Sequence, residues 1–233
     1  SVQNGTVKMP GSATPAPEMP VPETTAVVHL GLVHCESAAA AQVLRSGRTS
    51  ADAVFDQRPN SALARALMRG MLGALTGSEP QGWTIAQAAS GAPIAVERNG
   101  CRAPAISFSH SGLWIACAAS FAGPIGIDVE VSKDARNHAG IAERAFGPKE
   151  RATARLGADR FYGIWTLREA IAKATGQGLR LAADAIDRVP DGPFQDAGWS
   201  KVDGDDWWLM HAQSSVGPSA GLSLAIALKA PPS

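Results

Sequence analysis

A chain of 233 residues with 45% apolar side chains is long enough for one sizeable core or two small ones sharing an interface. Its 21 basic residues balance its 21 acidic ones, which argues against a general nucleic-acid binder or a membrane-surface protein. No segment reaches the ~18 uninterrupted apolar residues of a membrane span. No basic region followed by an apolar run opens the chain, so a cytoplasmic location is expected. Cys35, Cys101 and Cys117 lack metal-binding spacing and suit free, buried thiols rather than a disulfide framework.

Residues 1–25 are rich in Pro, Gly, Ser and Thr and read as a disordered tail or linker. An apolar run at 26–33 reads as a strand, and the Ala-rich stretch 37–44 as a helix. Residues 61–75 repeat Leu63, Leu67, Leu72 and Leu75 at helical spacing, with Arg65 and Arg69 four apart on another face. Residues 83–88 suggest a strand before the turn Gly91-Ala92-Pro93. Two strands follow at 105–109 and 113–120, joined by His110-Ser111-Gly112.

Beyond Gly123-Pro124, residues 125–131 form a strand, and 135–146 and 149–156 form helices separated by Gly147-Pro148. Residues 159–175 make the longest helix, ended by Gly176 and Gly178, which suit a left-handed cap. Late strands are expected at 207–212 and 221–228. The pattern is an α+β fold of two halves, 26–123 and 124–229, with a ligand cleft expected between them.

Asp128 and Glu130 lie two apart on a strand, so both carboxylates share one face while Ile127 and Val129 occupy the other. Two acids there are costly unless a cation neutralises them, and a hard divalent ion with oxygen ligands suits this. A solvated edge-strand face is the alternative. Glu169 and Lys173 are four apart on the long helix, either as an ordinary exposed ion pair or as a metal ligand beside a phosphate-binding ammonium. Ser109-His110-Ser111 is either a polar turn or a ligand contact. Nucleophile-elbow, phosphate-loop and zinc-protease motifs are absent.

Three motifs together carry a resemblance. Gly126-Ile127-Asp128-Val129-Glu130, Trp165-Thr166-Leu167-Arg168-Glu169-Ala170 through Lys173, and Ser107-Phe108-Ser109-His110-Ser111 resemble the signatures of the Sfp-type 4′-phosphopantetheinyl transferases. Residues 141–146 with Glu150, 176–179 and 64–69 resemble further segments of that family. The resemblance implies a pseudo-twofold pair of similar halves, with coenzyme A as co-substrate in the cleft between them. It implies transfer of 4′-phosphopantetheine to a serine of an acyl or peptidyl carrier protein, releasing 3′,5′-ADP. Carried over by position, Asp128, Glu130 and Glu169 would bind Mg²⁺ (or Mn²⁺), and Glu169 would also take the serine proton. Lys173 would stabilise the pyrophosphate, and Ser109 and His110 would contact the 3′-phosphate end of the coenzyme. The carrier-serving pathways open to such an enzyme are fatty-acid, polyketide and nonribosomal-peptide synthesis, and it is expected to be a monomer.

Where relatives often carry basic residues, this chain has Ala92 and Asn60, so Arg45, Arg48 and Arg58 are the candidates to replace them in gripping the coenzyme. Arg168 replaces the family's more usual lysine. Arg144 and Lys149 are candidates for docking an acidic carrier. A non-catalytic carrier-binding module of the same fold, and a phosphohydrolase using the same site, are the alternatives.

Overall fold

A computed structural model describes residues 2–8, 27–50, 52, 59–97, 103–133, 136–176, 198–202, 206–214 and 221–229. Strand β1 (Val2–Lys8) pairs antiparallel with β2 (Val27–His34). Residues 2–8 of the segment expected to be a tail or linker thus form a strand, and residues 9–25 lie outside the described residues. The first proline is Pro10, so residues 2–8 are free to join a sheet edge.

Helix α1 (Ala38–Gly47) starts where the Ser37 hydroxyl accepts the Ala40 N–H at 3.2 Å. Helix α2 (Pro59–Thr76) follows, then the hairpin of β3 (Trp83–Gln87) and β4 (Pro93–Glu97). Strands β5 (Ala105–Ser111) and β6 (Trp114–Ser120) form a second hairpin. Its turn is Gly112-Leu113, with Gly112 at φ +56, so His110 and Ser111 lie in the strand rather than in the turn expected for them. Sheet order is β1-β2-β6-β5. Leu63, Leu67, Met68 and Leu72 of α2 cover one face of this sheet against Val33, Ile115 and Cys117.

The second sheet runs β7 (Ile125–Val131), β10 (Leu222–Lys229), β9 (Trp207–Ser214) and β8 (Trp199–Lys201). Strict alternation divides its two faces. Ile125, Ile127 and Val129, with Leu222, Leu224 and Ile226, pack against Val28, Ala116 and Ala118 of the first sheet. Each such aliphatic side chain contributes about 1.5–3 kcal/mol by leaving water. The opposite face carries Ala225 and Ala227 under helix α5 (Ala158–Thr175), whose Leu167, Ala170 and Ile171 close that layer. Short helices α3 (His138–Ala145) and α4 (Pro148–Ala154) flank α5. The result is a mixed α+β fold with five α-helices among the described residues, none long and apolar enough to cross a membrane.

Two positions place α5 with little freedom. A Cβ on Gly126 would run into the Ala170 carbonyl and lie 2.7 Å from the Ala174 nitrogen, so only glycine lets the helix lie this close to β7. At the other end Gly176 caps the helix at φ +68, as its sequence position suggests. Gly178 lies outside the described residues.

Candidate active site

Strands β5 and β7 are the outer strands of their sheets and meet at a seam built from serine hydroxyls. Ser107, Ser109 and Ser111 accept the backbone N–H groups of Ile127, Val129 and Val131 at 3.1, 3.2 and 3.0 Å. The even-numbered face of β7, turned towards α5, holds Asp128 and Glu130.

Asp128 is 5% exposed. Its Oδ1 accepts from Ser109 Oγ at 2.7 Å and from Lys173 Nζ at 2.7 Å, while Oδ2 is buried without a hydrogen-bond partner. Burial pushes its carboxyl above the usual aspartate value, against the opposing pull of the Lys173 ammonium. Lys173 also donates to the Ile127 carbonyl at 3.0 Å. Glu130 accepts from Ser111 Oγ at 2.9 Å on Oε2 and from the Trp165 indole at 3.1 Å on Oε1. Arg136 stands 3.5 Å from Oε1 and 5.0 Å from the centre of the Trp165 ring. Glu169 is partly buried, and its carboxyl is raised first by burial and then by the Asp128 carboxylate, with Lys173 opposing.

Three carboxylates and one lysine therefore gather where β7 meets α5. Among the described residues, no three acidic, histidine or cysteine side chains stand in an arrangement that could already hold a metal ion. Lys173 is the cation on Asp128, and Glu130 is engaged by Ser111, Trp165 and Arg136. The chemistry of the set nevertheless suits a hard divalent cation: every donor is an oxygen, and Asp128 Oδ2 is buried with nothing to satisfy it.

Beside this cluster lies a cavity of about 400 Å³, walled by α2, β5, the turn between β3 and β4, and the end of α5. His110 and Ser109 line it, as do Lys173, Asn60 and Ala92. His110 is exposed there; Ser109 is 7% exposed, and its hydroxyl is already shared between Val129 and Asp128. Arg45 and Arg48 line a separate pocket with Leu44, Thr49 and Ser50, so the structure does not bring them to this cavity. Arg58 lies outside the described residues.

Among the described residues, the first half does place one arginine on the cavity, Arg65 of α2, which sequence reasoning set on a helix face without a role. Arg69, assigned to the same face, is instead 2% exposed. It donates to both oxygens of Asp52 at 2.6 and 2.8 Å, to the Gly47 carbonyl at 3.1 Å and to the Trp83 carbonyl at 3.0 Å. Burial pushes the Asp52 carboxyl up, but the Arg69 guanidinium and the Thr49 amide outweigh it and hold it below the ordinary value. Arg168 bonds Glu150 Oε2 at 2.7 Å, tying α5 to α4, while Glu150 also accepts the Gly147 N–H at 2.9 Å. Alternating serines at 107, 109 and 111 were the available signal for the seam.

Residues 124–213 match the family model of the 4′-phosphopantetheinyl transferase superfamily. A 4′-phosphopantetheinyl transferase from Bacillus subtilis is 38% identical over 85 residues, covering 34% of this chain and 37% of that protein. The 4′-phosphopantetheinyl transferase HetI of Nostoc sp. is 30% identical over 129 residues, covering 53% and 54%. The 4′-phosphopantetheinyl transferase Sfp of Bacillus subtilis strain 168 is 36% identical over 86 residues, covering 34% and 37%. The chain thus spans between about a third and about half the length of these relatives. The matched stretch runs from the start of β7 into β9, taking in Asp128, Glu130, Glu169 and Lys173. Over residues 124–213 this chain is similar to the 4′-phosphopantetheinyl transferase superfamily.

Proposed function

We propose that the chain transfers 4′-phosphopantetheine from coenzyme A to a serine of an acyl or peptidyl carrier protein, releasing 3′,5′-ADP. The observation that carries this reading is the Lys173–Asp128 contact at 2.7 Å on the rim of a cavity that His110 and Arg65 also line. In this reading the cavity is the cleft between two pseudo-twofold halves, and the coenzyme lies in it. The carrier's serine oxygen bonds to the β-phosphorus of the coenzyme. The bridging P–O bond breaks, and 3′,5′-ADP departs with the electron pair.

Glu169 takes the serine proton, a role to which its raised carboxyl is suited because a weaker acid is a stronger base. Lys173 holds charge on the pyrophosphate, and His110 with Arg65 faces the coenzyme's remaining phosphate. Asp128, Glu130 and Glu169 would hold Mg²⁺ or Mn²⁺, which when bound neutralises charge on the non-bridging phosphate oxygens. Arg144 and Lys149, both exposed at the junction of α3 and α4, offer positive charge to an acidic carrier.

The test is mass spectrometry of apo acyl and peptidyl carriers incubated with the protein, coenzyme A and Mg²⁺. A gain of one phosphopantetheine, abolished by EDTA, supports the reading. No gain on fatty-acid, polyketide or peptide carriers sinks it. A second reading, a carrier-binding module without catalysis, is favoured by uncharged Asn60 and Ala92 on the cavity wall. Carrier binding without mass gain would select it.

A further inference from the structure

We propose that Ser111, with Ser109 beside it, is a positioning residue that orients the acidic site across the seam between the two sheets. The inference rests on the reading of Asp128 and Glu130 as metal ligands, and it assigns a task to the opposite sheet that neither ligand motif contains.

The two serines do the same thing one step apart. Ser111 Oγ accepts the Val131 N–H at 3.0 Å and donates to Glu130 Oε2 at 2.9 Å. Ser109 Oγ accepts the Val129 N–H at 3.2 Å and donates to Asp128 Oδ1 at 2.7 Å. A hydroxyl has one proton, and a backbone N–H can only donate. With the amide on its lone pair, each serine is left to give its proton to the carboxylate, so the polarity of the relay is set by the strand itself. Ser107 shows the first half of the pattern alone, accepting the Ile127 N–H at 3.1 Å opposite Gly126, which has no carboxylate to receive a proton.

The consequences for the two acids differ. Ser109 and Lys173 share Asp128 Oδ1, which leaves the buried Oδ2 as the oxygen open to a cation. Glu130 is held by Ser111 on Oε2 and by the Trp165 indole on Oε1. Loss of Ser111 removes the hydroxyl that sets the roll of this carboxylate about its own axis. Ser111 is 7% exposed and is not among the residues lining the cavity, so its removal does not delete a coenzyme contact. Hydrogen-bond partners of ligand side chains typically carry about 10–100-fold of a site's metal affinity.

The experiment uses the full chain in two measurements. Nitrogen-15 spectra of the metal-free protein report the Trp165 indole N–H, assigned with Trp165→Phe. Mn²⁺ titration followed by electron paramagnetic resonance, without coenzyme or carrier, reports affinity directly. In Ser111→Ala the Trp165 indole resonance is expected to move and Mn²⁺ to bind about tenfold more weakly. Ser111→Thr, which keeps the hydroxyl, is expected to restore both. Ser111→Cys, similar in size with a weak donor, serves if the alanine variant fails to fold.

An unmoved resonance in a folded variant overturns the proposal, as does unchanged Mn²⁺ affinity or a threonine variant as impaired as alanine. A moved resonance in a protein whose wild type takes up no Mn²⁺ overturns the metal reading instead and leaves the positioning of Glu130 by Ser111 standing.

Discussion

Lys173 Nζ reaches from α5 to lie 2.7 Å from Asp128 Oδ1 on β7, joining the two motifs of the site in one ion pair. The lysine side chain is 29% and the aspartate side chain 7% exposed, so the pair is protected from water chiefly on the acid's side. Lys173→Met leaves Asp128 buried without its cation. Its stability to urea is expected to fall by about 1–3 kcal/mol, the cost of an unsatisfied buried group. Turnover with coenzyme A and carrier is expected to drop about 10²–10³-fold, as when a donor to developing charge is removed.

Glu169→Gln separates catalysis from folding. Removal of a general base typically costs about 10²–10⁴-fold in turnover. The folded state disfavours the ionised Glu169 carboxyl, through burial and then through Asp128. The neutral isostere is therefore expected to be as stable as the wild type at pH 7, or slightly more stable. A stopped reaction with an undiminished denaturation midpoint is the expected result; wild-type turnover would remove Glu169 from the mechanism.

Gly126→Ala tests the approach of α5 to β7. The added Cβ meets backbone, the Ala170 carbonyl and the Ala174 nitrogen, which cannot swing away as a side chain would. The helix must shift, at about 1–3 kcal/mol for an overpacked contact. Because Lys173 rides on that helix, turnover is expected to fall as well. Denaturation and kinetics of the same variant check both.

Arg69 tests the first half. Arg69→Ala leaves Asp52, 1% exposed, as a buried charge without its partner, at about 3–5 kcal/mol. Arg69→Lys is expected to recover only part of this, since an ammonium cannot reproduce the paired bonds at 2.6 and 2.8 Å together with those to Gly47 and Trp83. Thermal unfolding of the two variants ranks them.

His211 sets an acid limit on stability. It lies under α5, with Nε2 2.8 Å from Ser223 Oγ. Burial, helped by Arg160, lowers it from 6.5 to about 4. An unfolded chain therefore binds a proton that the folded one refuses. The destabilisation is absent above pH 6.5, grows as pH falls towards 4, and reaches its full size of about 3 kcal/mol below that range. His211→Gln is expected to flatten this part of the stability profile; an equally steep fall in the variant would refute the assignment.

Much of the site was legible in the chain because alternation on a strand and fourfold spacing on a helix are local geometry. Asp128 and Glu130 had to share a face of β7, and Glu169 and Lys173 a face of α5. The hairpin turn was misplaced by two residues, because His110 and Ser111 look like turn residues and stay in the strand only through pairing with Ile115 and Trp114. Arg69 was equally opaque. A charged residue at a helix position reads as solvent-facing until a distant carboxylate and two carbonyls are brought around it.

The sequence by itself determined which chemical groups the chain carries, which of them share a face, and a resemblance that the superfamily match over 124–213 supports. Only the tertiary structure decided how they meet. It set Lys173 on Asp128 through the glycine that lets α5 approach, put Arg65 on the cavity and Arg45 and Arg48 elsewhere, and aligned three serines of one sheet with the edge of the other. Those relations depend on contacts between residues far apart in the chain, and periodicity, being local, carries no information about them.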